Sequence, residues 1–460
     1  MSLAPQAKRM LRLALWVIIP MALALSVGIW WLTHDEPLMP EVAAALRFEP
    51  PAPETMRDNG YFTLLGLGAP PDEDALVAGQ RFFAAQLQSY ESYRRTGKSE
   101  PFADSHHRID QRPSSCNAEV DDCYAYYVAH AEELKANLAE HATLTTHYLS
   151  LQDKPVYEEI VPPYFAIALA NYPDAVDASA LIDMRAALLL NEGHVDEALA
   201  LLETNAQIHH KMMQGSRTMI GFMISLAMDV RQQRLISSAL RHVPALSADH
   251  AQRLDALVSS LASVPITAAL EYEMQTQLLL YDTLPKMASI ADEEDYLVNG
   301  PWFNLLYLTN ATLNTAYRQW QEPLRLSRLP PDQLAKEVAV RRKTGDATES
   351  SGLPLPSRNY VGNVLLSMAS IDFMIYIERA HDVEGYRRLI RLQIAALHER
   401  VPPEKMPEWL ATQPPELRDP YTLQPMKWDA ATQSLVFEGK QNQTQNPEPK
   451  NVYRAWLGKP

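Results

Sequence analysis

The sequence predicts an all-α protein carried on a single N-terminal transmembrane helix, and three observations lead there. Glycine is scarce beside proline, 16 against 34, which disfavours a glycine-rich β-sandwich or barrel and favours helices separated by proline-marked connections. Twenty consecutive residues, Leu13 to Leu32, carry no charge. Further along, apolar residues recur at spacings of three and four, the period of a helix with one buried face. A chain of 460 residues that is 47% hydrophobic can bury a substantial core, so it is not a disordered chain. Its net charge of −15 repels a phosphate backbone, and no local basic patch offsets it, so nucleic acid is not an expected partner.

Residues 1–12 read as a cytoplasmic N-terminus and 13–32 as the membrane helix. The run LALWVIIPMALALSVGIWWL makes a helix about 30 Å long, the thickness of a bilayer core. Lys8, Arg9 and Arg12 precede it and Asp35, Glu36 and Glu41 follow it. The positive-inside rule therefore keeps the N-terminus in the cytoplasm and exports the rest, with Trp16 at one end and Trp30 and Trp31 at the other as interfacial anchors. The competing reading is a cleaved signal peptide. Its apolar core is usually shorter, and the only Ala-x-Ala site, Ala43 to Ala45, lies too far past Leu32. No cysteine near the run supports a lipoprotein anchor. Pro20 is tolerable in mid-membrane, and Ala24 and Gly28 offer a small-residue face for packing or dimerisation. Residues 33–57, with Pro37, Pro40, Pro50, Pro51 and Pro53, read as a stiff, partly extended tether holding the main domain off the membrane.

Cys116 and Cys123 are the only cysteines, and export places them in an oxidising compartment where they are expected to pair. Closing a loop of about eight residues is worth about 2.5 kcal/mol on a chain-entropy estimate, a local staple. A redox pair normally reads C-x-x-C. A zinc site needs two more ligands, for which His106, His107 and His130 or Asp121 and Asp122 are the nearby choices.

Residues 58–400 read as the helical domain. Asp58 to Leu87 turns at Gly66, Gly68, Pro70 and Pro71, then passes Asp72, Glu73 and Asp74 into a helix, whose N-terminus the acids favour. Gly66-x-Gly68 lacks the third glycine and the strand context of a nucleotide loop. Tyr124 to Leu151 reads as one helix or two. From Ala180 to Ile208 the apolar positions repeat on both sides of Asn191-Glu192-Gly193, the pattern of two antiparallel helices. Further helices are expected over Met219 to Val243, Gln252 to Leu261, Ala268 to Leu284 and Trp302 to Trp320. The connection Pro323 to Arg358, with the polar run Lys343 to Gly352, is the expected loop excursion. Asn359 to His398 then gives another pair, broken at His381 to Gly385. Residues 401–460 are proline-rich. They hold one short helix, Glu404 to Ala411, and a small β-hairpin of Met426 to Trp428 and Leu435 to Glu438. The last twenty residues are expected to be loose, apart from docking by Tyr453 and Trp456.

The stretch NEGHVDEALALLE resembles the middle of a tetratricopeptide repeat. The resemblance implies that Gly193 closes the first helix, Ala198 is the small residue where the helices approach, and Leu202 fills the large apolar position. Asn205 and His210 stand where the family has a small residue and proline, and Gln232 falls 34 residues after Ala198, so the likeness covers one unit and implies an irregular, helical-hairpin domain. RNYVGNVLLSMA, FMIYIERAHDVEGYRRLIRL and DPYTLQPMKW resemble uncharacterised membrane-anchored proteins of Gram-negative bacteria. That likeness implies a bacterial inner-membrane setting and no particular activity.

Searching for chemistry finds no HExxH, GxSxG, P-loop, EF-hand or CxxCH pattern, so catalytic residues are unassigned and no cofactor or metal is expected. Carboxylate-based hydrolases and lyases leave no such pattern. The acidic run Asp292 to Asp295 reads as a solvated helix start. His209-His210 and His106-His107 read as surface pairs whose rings diverge. Met212, Met213, Met219, Met223 and Met228 read as packed core rather than a soft groove. The expected function is an interaction or scaffolding role, a periplasmic helical surface presented to an envelope protein partner. A cell-envelope hydrolase or lyase is the alternative, and a small-ligand receptor a third.

Overall fold

The computed structural model describes residues 5–98, 116, 122–164, 167–242, 246–259, 266–288, 303–344, 358–368, 373–440 and 451–458. The described chain is mostly helical with one small antiparallel sheet. The helices are α1 (Pro5–Thr33), α2 (Pro40–Ala45), α3 (Pro53–Asp58), α4 (Gly60–Leu65), α5 (Ala75–Thr96), α6 (Cys123–Ala129), α7 (Ala131–Glu140), α8 (Ala142–Leu149) and α9 (Tyr172–Asn191). They continue with α10 (Val195–Gly215), α11 (Met219–Leu240), α12 (Ala248–Ser259), α13 (Ile266–Ala288), α14 (Phe303–Leu306), α15 (Thr309–Ser327), α16 (Pro331–Thr344), α17 (Tyr360–Met368), α18 (Met374–Glu399) and α19 (Met406–Thr412). The strands are β1 (Lys427–Asp429), β2 (Ser434–Glu438) and β3 (Val452–Trp456).

Helix α1 is long and apolar enough to cross a bilayer, and none of its stretch Trp16–Thr33 is buried among the described residues. Trp16, Trp30 and Trp31 are exposed on it, and Lys8, Arg9 and Arg12 fall near its start.

The segment that follows is not the free spacer that its prolines suggest. The first turn of any helix leaves N–H groups that need acceptors, and Leu308, just before α15, offers no side-chain cap. Asp35 supplies it from the other end of the chain, accepting from Asn310 N at 2.7 Å and Ala311 N at 3.0 Å. Asn314 answers by donating to Glu36 Oε1 and accepting from Met39 N, and Arg358 donates to the His34 carbonyl. Pro40 opens α2, whose Val42 is fully buried. The body is thus gripped at the very end of α1.

In the body, α4 and α5 cross so closely that a Cβ on Gly66 or Gly79 would lie 1.9 or 1.7 Å from a backbone oxygen of the other segment. Asp74 caps α5 by accepting from Val77 N, as the acidic run predicts. Tyr124 to Leu151 forms three short helices instead of one or two. At the first break, His130 Nδ1 turns back onto the Tyr126 carbonyl at 2.8 Å, a local bond of the kind that competes with a helix ladder.

Two other expectations change. Pro323 lies inside α15, and Pro331–Thr344 of the expected excursion is helix α16; positions 345–352 lie outside the described residues, as do Asp292 to Asp295, His106 and His107. Helix α18 also runs unbroken through His381 to Gly385. The residues that read as a break are where the sheet docks: Asp382 accepts from Tyr421 Oη at 2.6 Å and Lys440 N at 2.7 Å. A Cβ at Gly385 would meet the Phe437 ring at 2.2 Å. The sheet has the order β1-β2-β3, all antiparallel, with Lys427 opposite Val436 and Leu435 opposite Ala455. The third strand, where the sequence predicts only docking by Tyr453 and Trp456 in a loose segment, covers the edge of β2 and is held to α18 by Gln393 Nε2 on the Trp456 carbonyl at 2.8 Å.

Among the described residues there are two large apolar cores. One is built mainly from α4 to α10, α12, α19 and the sheet; the other mainly from α2, α13 and α15 to α17. Helices α11 and α18 run through both, Phe222 and Ile377 on one side, Ile236 and Ile390 on the other. Between those ends Arg387 donates to Asp229 Oδ2 from Nη2 at 2.6 Å and Nε at 3.2 Å, both side chains being buried. Removing one partner strands a buried charge. Arg387→Met is therefore expected to cost about 3–5 kcal/mol, and Arg387→Met combined with Asp229→Leu to recover most of it, as read from urea unfolding of the solubilised chain.

Candidate functional site

The helical hairpin supplies both candidate sites. Helix α9 ends in a Schellman turn: His194 N donates to the Leu189 carbonyl, Gly193 N to the Leu190 carbonyl, and Gly193 takes the left-handed φ of +86° that favours glycine. Ala198 is fully buried and Leu202 nearly so, both in the interior of the hairpin. Asn205 is equally buried, and its polarity has a use. It accepts from Tyr148 Oη at 2.9 Å and donates to Asp183 Oδ1 at 3.0 Å and Ser179 Oγ at 3.2 Å. Gln232 likewise is buried, donating to the Leu202 carbonyl at 2.6 Å.

This polar hub also corrects the histidine reading. His209 is fully buried, its Nε2 2.7 Å from Ser179 Oγ, and His210 Nε2 lies 3.7 Å from Asp229 Oδ1. Arg231 joins the hub, donating to Ser179 Oγ at 2.9 Å and Asp183 Oδ2 at 3.3 Å. Ser179, His209 and Asp183 are the residue types of a hydrolase triad, but their arrangement differs. Asp183 bonds Asn205 and Arg231, Ser179 is fully buried, and His209 Nδ1 meets no hydrogen-bond partner among the described residues. A nucleophile needs a substrate within reach, so the hub is a fastener for α9, α10 and α11. Met212, Met213, Met219 and Met228 are buried as core, the first and last in one apolar core and the other two in the second.

Burial sets the charges here. It lowers His209 to about 3, with the Asp229 charge opposing. It lifts Asp183 to about 6, with Arg231 and Asn205 pulling back. At Asp229 burial raises the carboxyl, but Arg387 and then His210 outweigh it and hold it below the ordinary range. Glu159 is raised by burial, although Arg217 N, Thr218 N and Tyr172 Oη all donate to it at the start of α11.

The open site lies further along the same hairpin, toward its turn. Leu190 of α9, Leu199 and Leu202 of α10, Ile236 and Leu240 of α11 and Leu254 of α12 wall an apolar cavity of about 300 Å³. Tyr124, His242 and His250 are its polar residues. His242 Nε2 reaches Asp122 Oδ2 at 2.9 Å, and the Tyr124 and His242 rings lie 5.0 Å apart. His250 Nε2 stands 3.5 Å from Asp196. Asp196, Asp249 and His250 bring possible metal-ligand atoms within 4.8 Å of one another. Arg253 already donates to Asp196 at 3.0 Å, and both carboxylates are exposed, so no metal is assigned. Cys116 and Cys123 are disulfide-bonded beside this region, with Tyr127 Oη receiving the Cys116 N–H. None of the membrane-interface residues takes part in either site.

Of these residues, sequence reading reached Gly193, Ala198 and Leu202 and flagged Asn205 and Gln232 only as departures from a repeat. A polar residue at a buried repeat position was the available signal. Compared with protein families, characterised proteins and solved structures, the chain matches none, so its chemistry alone carries the functional argument.

The two perturbed groups of the hub titrate in opposition. His209 stays neutral when folded but takes a proton near pH 6.5 when unfolded, so its contribution is full above pH 6.5 and is lost as pH falls toward about 3. Asp183 holds its proton when folded up to about pH 6, so its contribution is full below its unfolded value near 4 and is lost as pH rises through about 6. Between pH 6 and 4 the slopes cancel. Asp183→Asn removes one of them, and its stability is expected to fall with acid by about 1.4 kcal/mol per pH unit more steeply than wild type. Urea midpoints across that window measure it.

Proposed function

We propose that this chain is a membrane-anchored receptor that binds a small apolar molecule in the cavity between α9 and α12. The observation that carries it is the division of labour inside the body. The carboxylates with raised affinity for protons, Asp183, Glu159 and Glu273, are absent from the cavity wall, whereas the wall is apolar with a few polar groups, the usual make-up of a small-molecule site. That pattern supports binding over carboxylate catalysis. In this reading α1 crosses the bacterial inner membrane once, Lys8, Arg9 and Arg12 hold the N-terminus in the cytoplasm, and the body works in the periplasm where Cys116 and Cys123 oxidise.

A scaffold for an envelope protein is the second reading, favoured by the Asp35 grip that fixes the body to its anchor. Against it, among the described residues the large apolar side chains exposed on the body's helices, Val77, Ile220, Val340 and Met368, lie one to a helix.

Organic extracts of the full-length protein, purified in mild detergent and read by mass spectrometry, separate the two. Wild type is expected to carry a low-mass apolar compound that Leu199→Trp, which fills the cavity, lacks. Equal extracts would sink the receptor reading, and a protein retained by wild type but lost from the variant would make the cavity a partner's socket.

A further inference from the structure

We infer that the molecule held between α9 and α12 is an amine, a hydrocarbon body ending in a protonated amino group; this rests on the receptor reading. The volume, about 300 Å³, sits at the small end of ligand sites, and the leucine wall asks for hydrocarbon. The polar residues are more selective.

Both histidines of the wall hold Nε2 toward a carboxylate, His242 on Asp122 and His250 on Asp196. The Tyr124 ring lies beside His242, and aromatic faces favour cations. Charge points the same way. Asp249 adds a carboxylate within 4.8 Å of the Asp196 and His250 atoms. The guanidiniums near by are already committed: Arg241 is 3.5 Å from Asp122, and Arg253 is divided between Asp196 and both oxygens of Glu203. Asp122, Asp196, Asp249 and Glu203 thus outnumber Arg241 and Arg253, leaving a negative field that attracts an ammonium and repels an anion. A fatty acid or other anionic amphiphile is the wrong class, and a neutral alcohol gains nothing from the field.

The test uses the full-length chain in phosphatidylcholine nanodiscs, titrated calorimetrically at low salt with decylamine, decanol and decyl sulfate below their micellar concentrations. Empty nanodiscs and two plugged variants, Leu199→Trp and Val195→Phe, define the background. Decylamine is expected to bind saturably and about tenfold more tightly than decanol, with decyl sulfate weakest. Asp122→Asn with Asp196→Asn is expected to level decylamine to decanol while decanol binding persists, because the amide oxygen that replaces the Asp122 carboxylate can still accept from Ala125 N and cap α6. Decyl sulfate binding as tightly as decylamine overturns the amine assignment and leaves the receptor reading standing. No probe binding above the plugged variants overturns both.

Discussion

The buried pair of Asp229 and Arg387 is the constraint around which the body is organised. Helices α11 and α18 each contribute to both apolar cores, and the pair joins them between those contributions. Two ions out of water are costly unless each is paired and its remaining hydrogen-bonding capacity is used. Here Gln233 also donates to Asp229 and His210 approaches from α10. The ionic contact adds little net energy over a well-packed apolar one, but it admits only one register of α11 against α18. Because α18 carries the sheet on Gly385 and Asp382, that register also places the C-terminal strands.

The neighbouring polar hub follows from the same logic. Ser179, Asp183, Asn205, His209 and Arg231 lie on α9, α10 and α11, and each finds partners on another of these helices. Apolar side chains would pack these helices in several offsets, whereas a network of donors and acceptors is satisfied in one. With the helices so held, the hairpin does not close nearer its turn, where Leu190, Val195 and Leu199 wall a cavity together with α11 and α12. The cavity and the hub are therefore successive levels of one arrangement, the second of them sealed.

The junction with α1 obeys a different rule. Helix α15 begins without a cap of its own, and the chain just after α1 provides one through Asp35, with Asn314 donating to Glu36 and Pro37 and accepting from Met39 N. A helix N-terminus favours a carboxylate both by hydrogen bonding and by its dipole. This leaves little slack between the apolar helix and the body.

What the sequence determined by itself was local and periodic. The twenty uncharged residues, the acid-led start of α5, the glycine that ends α9 and the β1–β2 hairpin all depend on neighbours within a turn or two. Long-range events were decided only by the tertiary structure. Asp35 finds α15 across 275 positions, β3 pairs with β2 across a polar stretch without strand periodicity, and Gly385 is required by the Phe437 ring and not by a break in its helix. His209 and Asn205 read as surface or misplaced residues because polarity in a sequence signals water, and only the packed structure shows a polar group answered by another. The cavity was equally hidden, since leucines that line a space and leucines that fill one have the same periodicity. Whether their faces close depends on how three or four helices are held, and that is set by hydrogen bonds between residues far apart in the chain.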